Sequence, residues 1–322
     1  MLTLLPDLPV KTPASFTGAS PETLARTSRP SYDELRVLGG RAVDAGQFEA
    51  ALGYYRESLE VARAAGDGRL IDLATCNCGA VLITLGRQRE AVAGLRQILM
   101  ANRCPENSFL AAYNLSRAHA RSKAPKKGLF YSQIARDRAL ALARDEWLLW
   151  SFNQLGNCLV DESRFREAVK EYRRALTFQP EEPSVLRAQV LINLGYCWIV
   201  QGKIREGLTL TFRSLRWLRR FGAYGYQAVP HLDLCYAYIE LGRYDRARHH
   251  GRRGLAIAEE CGEVDRVKIA LYLLGETESA AGNYEEAYDL FSRLQREFYP
   301  ESPQLLELMV FVDMRQMVNL RA

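Results

Sequence analysis

Residues 155–180 read LGNCLVDESRFREAVKEYRRALTFQP. Apolar and small residues recur at helical spacing on both sides of Ser163-Arg164-Phe165, and the alternation that marks a strand is missing. The segment predicts two helices joined by a tight turn. That turn returns along the chain. Gly46-Gln47-Phe48, Gly86-Arg87-Gln88, Gly202-Lys203-Ile204, Gly242-Arg243-Tyr244 and Gly282-Asn283-Tyr284 occupy the equivalent place, and a degenerate Lys123-Ala124-Pro125 fills the remaining gap. Successive turns are separated by 40, 37, 40, 39, 40 and 40 residues. A fixed period of this length marks stacked repeats that share a continuous core.

Each unit has the same layout around its turn. Upstream stand Leu38-Gly39, Cys78-Gly79, Leu115-Ser116, Leu155-Gly156, Leu194-Gly195, Leu234-Cys235 and Leu274-Gly275; downstream stand Ala51, Ala91, Gly128, Ala168, Gly207, Ala247 and Ala287. Small side chains at these two places let the helices of one hairpin approach closely. A glycine in the turn ends the first helix, where a left-handed backbone costs least.

This layout resembles the tetratricopeptide repeat, and Leu155, Gly156, Leu159, Phe165, Ala168, Tyr172, Ala175 and Pro180 carry the resemblance most fully. The family's basic period is about 34 residues, so the longer spacing is similar to the subgroup of kinesin light chains and bacterial peptide-sensing regulators. The resemblance implies an all-α fold, a right-handed αα superhelix of about seven hairpins. They are expected near 32–71, 72–108, 109–148, 149–187, 188–227, 228–267 and 268–302. Residues 303–322 are expected to cap the last hairpin, whose stacking face is otherwise exposed. Residues 1–30 contain five prolines and read as a flexible tail, one that could instead occupy the protein's own groove.

Composition narrows the class. Of 322 residues 48% are hydrophobic and 25% charged, which supports a folded core rather than a disordered chain. No stretch approaches the apolar run of about 18 residues that spans a bilayer. The first residues lack a basic region and Pro6 interrupts their apolar run, so the seven cysteines are expected reduced and the protein cytoplasmic. Cys158 and Cys197 share one slot in adjacent repeats and read as core residues. His119, His231, His249 and His250 have no carboxylate or cysteine at ligand spacing within their helices. No phosphate-cradling loop or nucleophile elbow appears. The chain is expected to be no enzyme, with no cofactor and no metal.

In the family it resembles, the first helix of each unit lines a concave face that holds ligands. The slot before the repeat leucine holds Val37, Asn77, Asn114, Gln154, Asn193, Asp233 and Leu273. An Asn side chain offers both donors and an acceptor, matching a peptide group. Repeats roughly 10 Å apart would meet an extended peptide, which rises about 3.3 Å per residue, at every third residue. Asn77, Asn114, Asn153, Asn193 and Asp233, with Tyr113, Trp150, Tyr196, Tyr236 and Tyr272 around them, form the expected peptide-binding groove. The same residues would equally serve as hydrogen bonds between adjacent helices. A clamp for a terminal carboxylate fits poorly, because its slots hold Gly40, Leu110 and Val229 instead of Lys and Arg.

Charge is uneven. Residues 200–253 hold 11 Lys and Arg against 4 Asp and Glu, a local +7, while the whole chain carries +5. One slot of the second helices is Arg174, Arg213, Arg253 and Arg293 in four successive units, so stacking predicts a basic outer face. Such a row would attach the protein to an acidic filament, an anionic membrane surface or nucleic acid. Nucleic acid fits least, since Trp217 alone accompanies the cluster. A solvated helix surface is the plain alternative. The main expectation is a non-enzymatic interaction module that binds a peptide segment of a partner protein.

Overall fold

The computed structural model describes residues 30–178 and 183–312; residues 1–29 of the expected tail, Pro180, and residues 313–322 of the expected cap lie outside them. The described residues fall into two compact units, 30–143 and 144–312. Among them every regular element is helical.

The first unit holds α1 (Tyr32–Asp44), α2 (Phe48–Ala65), α3 (Gly68–Thr84), α4 (Gln88–Ala101), α5 (Pro105–Arg121) and α6 (Pro125–Leu142). The second holds α7 (Asp145–Asp161), α8 (Phe165–Ala175), α9 (Val185–Val200) and α10 (Ile204–Arg220). After a 3-10 turn at Gly225–Gln227 it continues with α11 (Ala228–Glu240), α12 (Tyr244–Glu260), α13 (Val264–Ala280), α14 (Tyr284–Phe298) and α15 (Gln304–Phe311). From α1 to α14 the helices pair as antiparallel hairpins, and within each unit neighbouring hairpins stack. The fold is an all-α solenoid of helical hairpins.

The repeated turn has one chemistry. Three residues link the two helices of a hairpin, and the first helix closes with a bond from the last linker N–H back to a carbonyl in the final turn. Arg164 donates to the Leu159 carbonyl at 2.8 Å, and Lys203 to that of Trp198 at 2.8 Å. This closure needs a left-handed residue between. Gly202 supplies it with φ +78°, whereas Ser163 adopts φ +57° and Lys123 φ +53° without glycine's freedom. The degenerate third turn therefore keeps the common geometry, and Pro125 sits in the first turn of α6 where its missing N–H costs nothing.

The small residue upstream of each turn faces a residue nine places after it. A Cβ on Gly156 would stand 2.4 Å from the Tyr172 ring; one on Gly39 would stand 2.5 Å from Tyr55, and one on Gly275 2.3 Å from Phe291. In the hairpin of α11 and α12 the sizes are exchanged, with Gly251 against the Cys235 sulfur. In the hairpin of α5 and α6 the two equivalent places hold Ser116 and Ser132, both buried. At least one small residue stands at each of these contacts, and where both are small, as with Gly195 and Thr211, a Cβ on Gly195 would come within 3.1 Å of the Gly207 carbonyl.

Capping is local. Ser31 and Glu34 form a reciprocal capping box on α1, Asp67 caps α3 through the Arg69 and Leu70 amides, and Ser184 caps α9. Arg187 donates to the Leu176 and Phe178 carbonyls, which closes the end of α8 onto α9. At the other end of the second unit, Leu305, Leu306, Met309 and Val310 of α15 cover the core built from α11, α13 and α14.

Gly156→Ala is expected to cost ~2 kcal/mol by overpacking, read as a lowered midpoint in urea unfolding, and Gly156→Ala with Tyr172→Leu to recover part of it. Ser163→Gly is expected to add ~1 kcal/mol by relieving left-handed strain, seen as a raised Tm.

Candidate functional site

In the first unit the expected groove residues come from α3 and α5. Asn77 and Asn114 are buried, Asn114 with 2% of its surface exposed. Its amide nitrogen donates to the Cys76 carbonyl on α3 at 3.3 Å, and its oxygen accepts from Arg117 at 3.1 Å. Arg117 lies over the Tyr113 ring, which stacks on Phe109 at 6.0 Å. Asn107 repeats the strut one end along, donating to the Arg69 carbonyl at 2.9 Å. The hairpins are stitched amide to carbonyl across first helices.

The second unit assembles a denser amide cluster. Asn193 of α9 donates to Asn153 at 3.1 Å and to Asn157 at 2.9 Å, both on α7. The Asn157 oxygen also accepts from the Tyr172 hydroxyl at 2.8 Å. Asn153 and Asn193 are therefore brought together, with Asn157 as their hub. Asn157 was not singled out from the sequence, although its spacing of four from Asn153 puts both on one helix face. Its amide nitrogen is buried and has no partner, and on α9 the half-buried Gln189, one turn before Asn193, has an unpaired oxygen. A buried donor and a buried acceptor thus stand unsatisfied on adjacent first helices.

The remaining expected groove residues lie deeper than a ligand surface requires. Trp150 is 2% and Tyr236 8% exposed, and Tyr196, Asp233 and Tyr272 are likewise buried. Tyr196 meets Phe165 edge-on at 6.3 Å, and Tyr272 tilts against Phe291 at 6.3 Å. Both rings brace hairpin packing. The half-buried Asn193 is the most open of the amide set.

The four outer arginines divide into two kinds. Arg293 bonds Glu259 at 2.8 Å and Glu297 at 2.9 Å, and Arg174 stands 3.6 Å from Glu171. Arg174 also lies over the Phe152 ring at 6.0 Å, while Arg213 and Arg253 rest on rings alone, Arg213 over Trp217 at 4.8 Å and Arg253 over Tyr224 at 5.8 Å. Neither has a carboxylate partner among the described residues.

Two features escaped the sequence because they join residues far apart in the chain. Glu278, 1% exposed, accepts two bonds from Arg248 at 2.6 and 2.7 Å and one from Asn283 at 2.8 Å, locking α12 to α13. The Arg248 guanidinium holds this carboxyl below the usual range. The second is an imidazole pair, His231 Nδ1 to His250 Nδ1 at 2.9 Å, in which one ring donates and the other accepts. Burial lowers His231 to about 3 and His250 to about 4, helped by the nearby Arg219. Both rings are neutral at neutral pH.

Among the described residues no group of three or more His, Cys, Asp or Glu could hold a metal ion, and no helix is long and apolar enough to cross a membrane. The seven cysteines are free.

Family models of the tetratricopeptide repeat match residues 151–182 and 269–302. No curated protein matches the sequence. Among solved structures, a Rap protein complexed with competence and sporulation factor is similar at TM-score 0.69 and 13% identity, over 87% of this chain and 80% of that one. NprR in complex with its cognate peptide NprX is similar at TM-score 0.66 and 14% identity, over 91% and 86%. The tetratricopeptide-repeat sensor protein PH0952 from Pyrococcus horikoshii is similar at TM-score 0.65 and 14% identity, over 90% of this chain and 46% of that one. These likenesses establish the fold.

Glu278→Ala is expected to cost ~2 kcal/mol, because it removes a buried carboxylate that Arg248 and Asn283 both bond, leaving Arg248 only its bond to Asp245 at 2.8 Å; urea unfolding at neutral pH checks it. The lowered imidazoles make stability complete above about pH 6.5 and progressively lost as pH falls toward 4, since only the unfolded chain takes up those protons. Tm measured from pH 7 to 4 is expected to fall less steeply in His250→Phe, which keeps the stack on Tyr238.

Proposed function

This chain carries tetratricopeptide repeats, and from that premise we propose that it is a non-enzymatic interaction module that takes up a peptide segment of a partner protein. The face proposed is that of the first helices in the second unit. The observation that carries the reading is the amide cluster of α7 and α9. Asn157 keeps a donor and Gln189 an acceptor without partners, and Asn193 between them is half-open. A peptide group supplies one C=O and one N–H, the complement of that unsatisfied pair. Two of the similar structures were solved with a signalling factor or peptide bound, which supports the same mode here.

The amides expected to grip the ligand are largely spent on one another. Asn114 and Asn153 act in this reading as struts that set the distance between first helices, and the half-buried Gln189, with its unpaired oxygen, and the half-buried Asn193 are the groups left for a ligand. A strut and a contact differ in what their loss does. Truncating a strut leaves a buried partner unpaired and lowers stability by ~1–3 kcal/mol, whereas truncating a half-open contact does so far less.

Selection of random linear peptides against the whole chain tests the reading. The expected result is enriched peptides whose affinity, by fluorescence anisotropy, drops about tenfold in Gln189→Ala, in line with the loss of a buried hydrogen bond, while Tm is unchanged. Enriched peptides insensitive to Gln189→Ala and Asn193→Ala, or no enrichment at all, would overturn it.

A further inference from the structure

The solenoid stitches its second helices together with a repeated pair of ion bridges. Arg293, eleven residues after the turn glycine of its hairpin, bonds Glu259, seventeen after the glycine of the hairpin before, at 2.8 Å. Arg252, ten after its glycine, bonds Glu286, four after the next, at 2.9 Å. In the first unit Arg56 and Glu90 occupy those same two places, 3.7 Å apart.

Between α10 and α12 neither stitch can form. The place of Glu259 is taken by Arg219, opposite Arg253, and the place of Arg252 by Phe212, opposite Arg246. Two arginines stand where an arginine and a glutamate belong. Among the described residues Arg213, Arg216, Arg219, Arg220 and Arg253 make no ion pair, and all five are exposed. Beneath them lies the His231 and His250 pair, which adds no negative charge. Glu260, at the end of α12, accepts from the Tyr224 hydroxyl at 2.7 Å.

We propose that the seam between α10 and α12 is a docking surface for an acidic segment of a partner protein, whose carboxylates replace the glutamates that neighbouring hairpins supply from within. Three features favour carboxylate side chains. Arg213 and Arg253 occupy the slot from which Arg293 bonds Glu259, and a guanidinium receives a carboxylate in a paired fork. Arg213, Arg216 and Arg220 lie on one helix stripe spanning about 10.5 Å, the length over which an acidic helix presents its own charges at matching spacing. The aromatic rings are occupied, Trp217 under Arg213, Tyr224 under Arg253, and Phe212 edge-on to His250 at 6.0 Å. Trp217 and Tyr224 thereby hold two guanidiniums in place for a carboxylate. This surface is separate from the first-helix face, and Gln189→Ala leaves it intact.

One substitution separates the proposal from a merely solvated basic face. Arg219→Glu restores the internal stitch to Arg253, so Tm is expected to rise by ~2 °C while affinity for a fluorescein-labelled Glu-rich helical peptide falls about tenfold. Arg216→Glu, outside the stitch, is expected to weaken the peptide several-fold at unchanged Tm. Arg293→Glu, already paired within the chain, is expected to lower Tm and leave affinity within about twofold. Oligothymidine and phosphatidylserine vesicles serve as competitors. Tighter binding of either competitor than of the peptide, absence of peptide binding, or binding undiminished in Arg219→Glu would overturn the proposal.

Discussion

Everything in this protein depends on how closely the two helices of one hairpin approach. A tyrosine or phenylalanine on the second helix lies flat against a glycine on the first, with no room for a single methyl group between Gly156 and Tyr172. That contact fixes interhelix distance, and a fixed distance allows the next hairpin to dock in the same way. The Cys235 and Gly251 hairpin shows that the small residue of the pair can stand on either helix, since there the glycine has moved to the second one. A repeat array tolerates such exchange because each unit is packed only against its neighbours.

Once the spacing is set, the inter-hairpin seams carry the specificity. On first helices the seams are amide bonds, Asn114 to Cys76 and Asn193 to Asn153 and Asn157. Along second helices they are ion bridges, and the buried Glu278 of α13, a first helix, takes a two-fold bond from Arg248 of α12 in the hairpin before. Desolvation makes that pair costly to break, while the exposed bridges such as Arg252 with Glu286 contribute only ~0.5 kcal/mol each. The seam between α10 and α12 lacks its bridges and collects the basic excess of the chain. A weak seam and a charged surface are there the same feature.

The proposed activities follow from satisfaction of polar groups. Where the array satisfies its own donors and acceptors it is structural; where it leaves them unpaired, on Gln189 and Asn157 or along the α10 arginines, the proposals place a partner. A peptide on one face and an acidic segment on another would let a single solenoid hold two chains at once.

The fold was legible in the sequence because its cause is local. Turn spacing, the small residue before each turn and the helical periodicity all act within one hairpin, so even the Ser163 turn, which lacks glycine, could be placed by register. The basic excess of residues 200–253 was legible as well, being a matter of counting. Which amides are struts and which are open was not, since Asn193 finds its partners 36 and 40 residues away. Nor could the sequence separate Arg293, bonded to glutamates, from Arg213, resting on tryptophan, although both occupy one slot. The sequence by itself determined the hairpin and its period, because those arise from contacts a few residues apart. Only the tertiary structure decided which polar groups are spent and which remain, because their partners come from the neighbouring repeat.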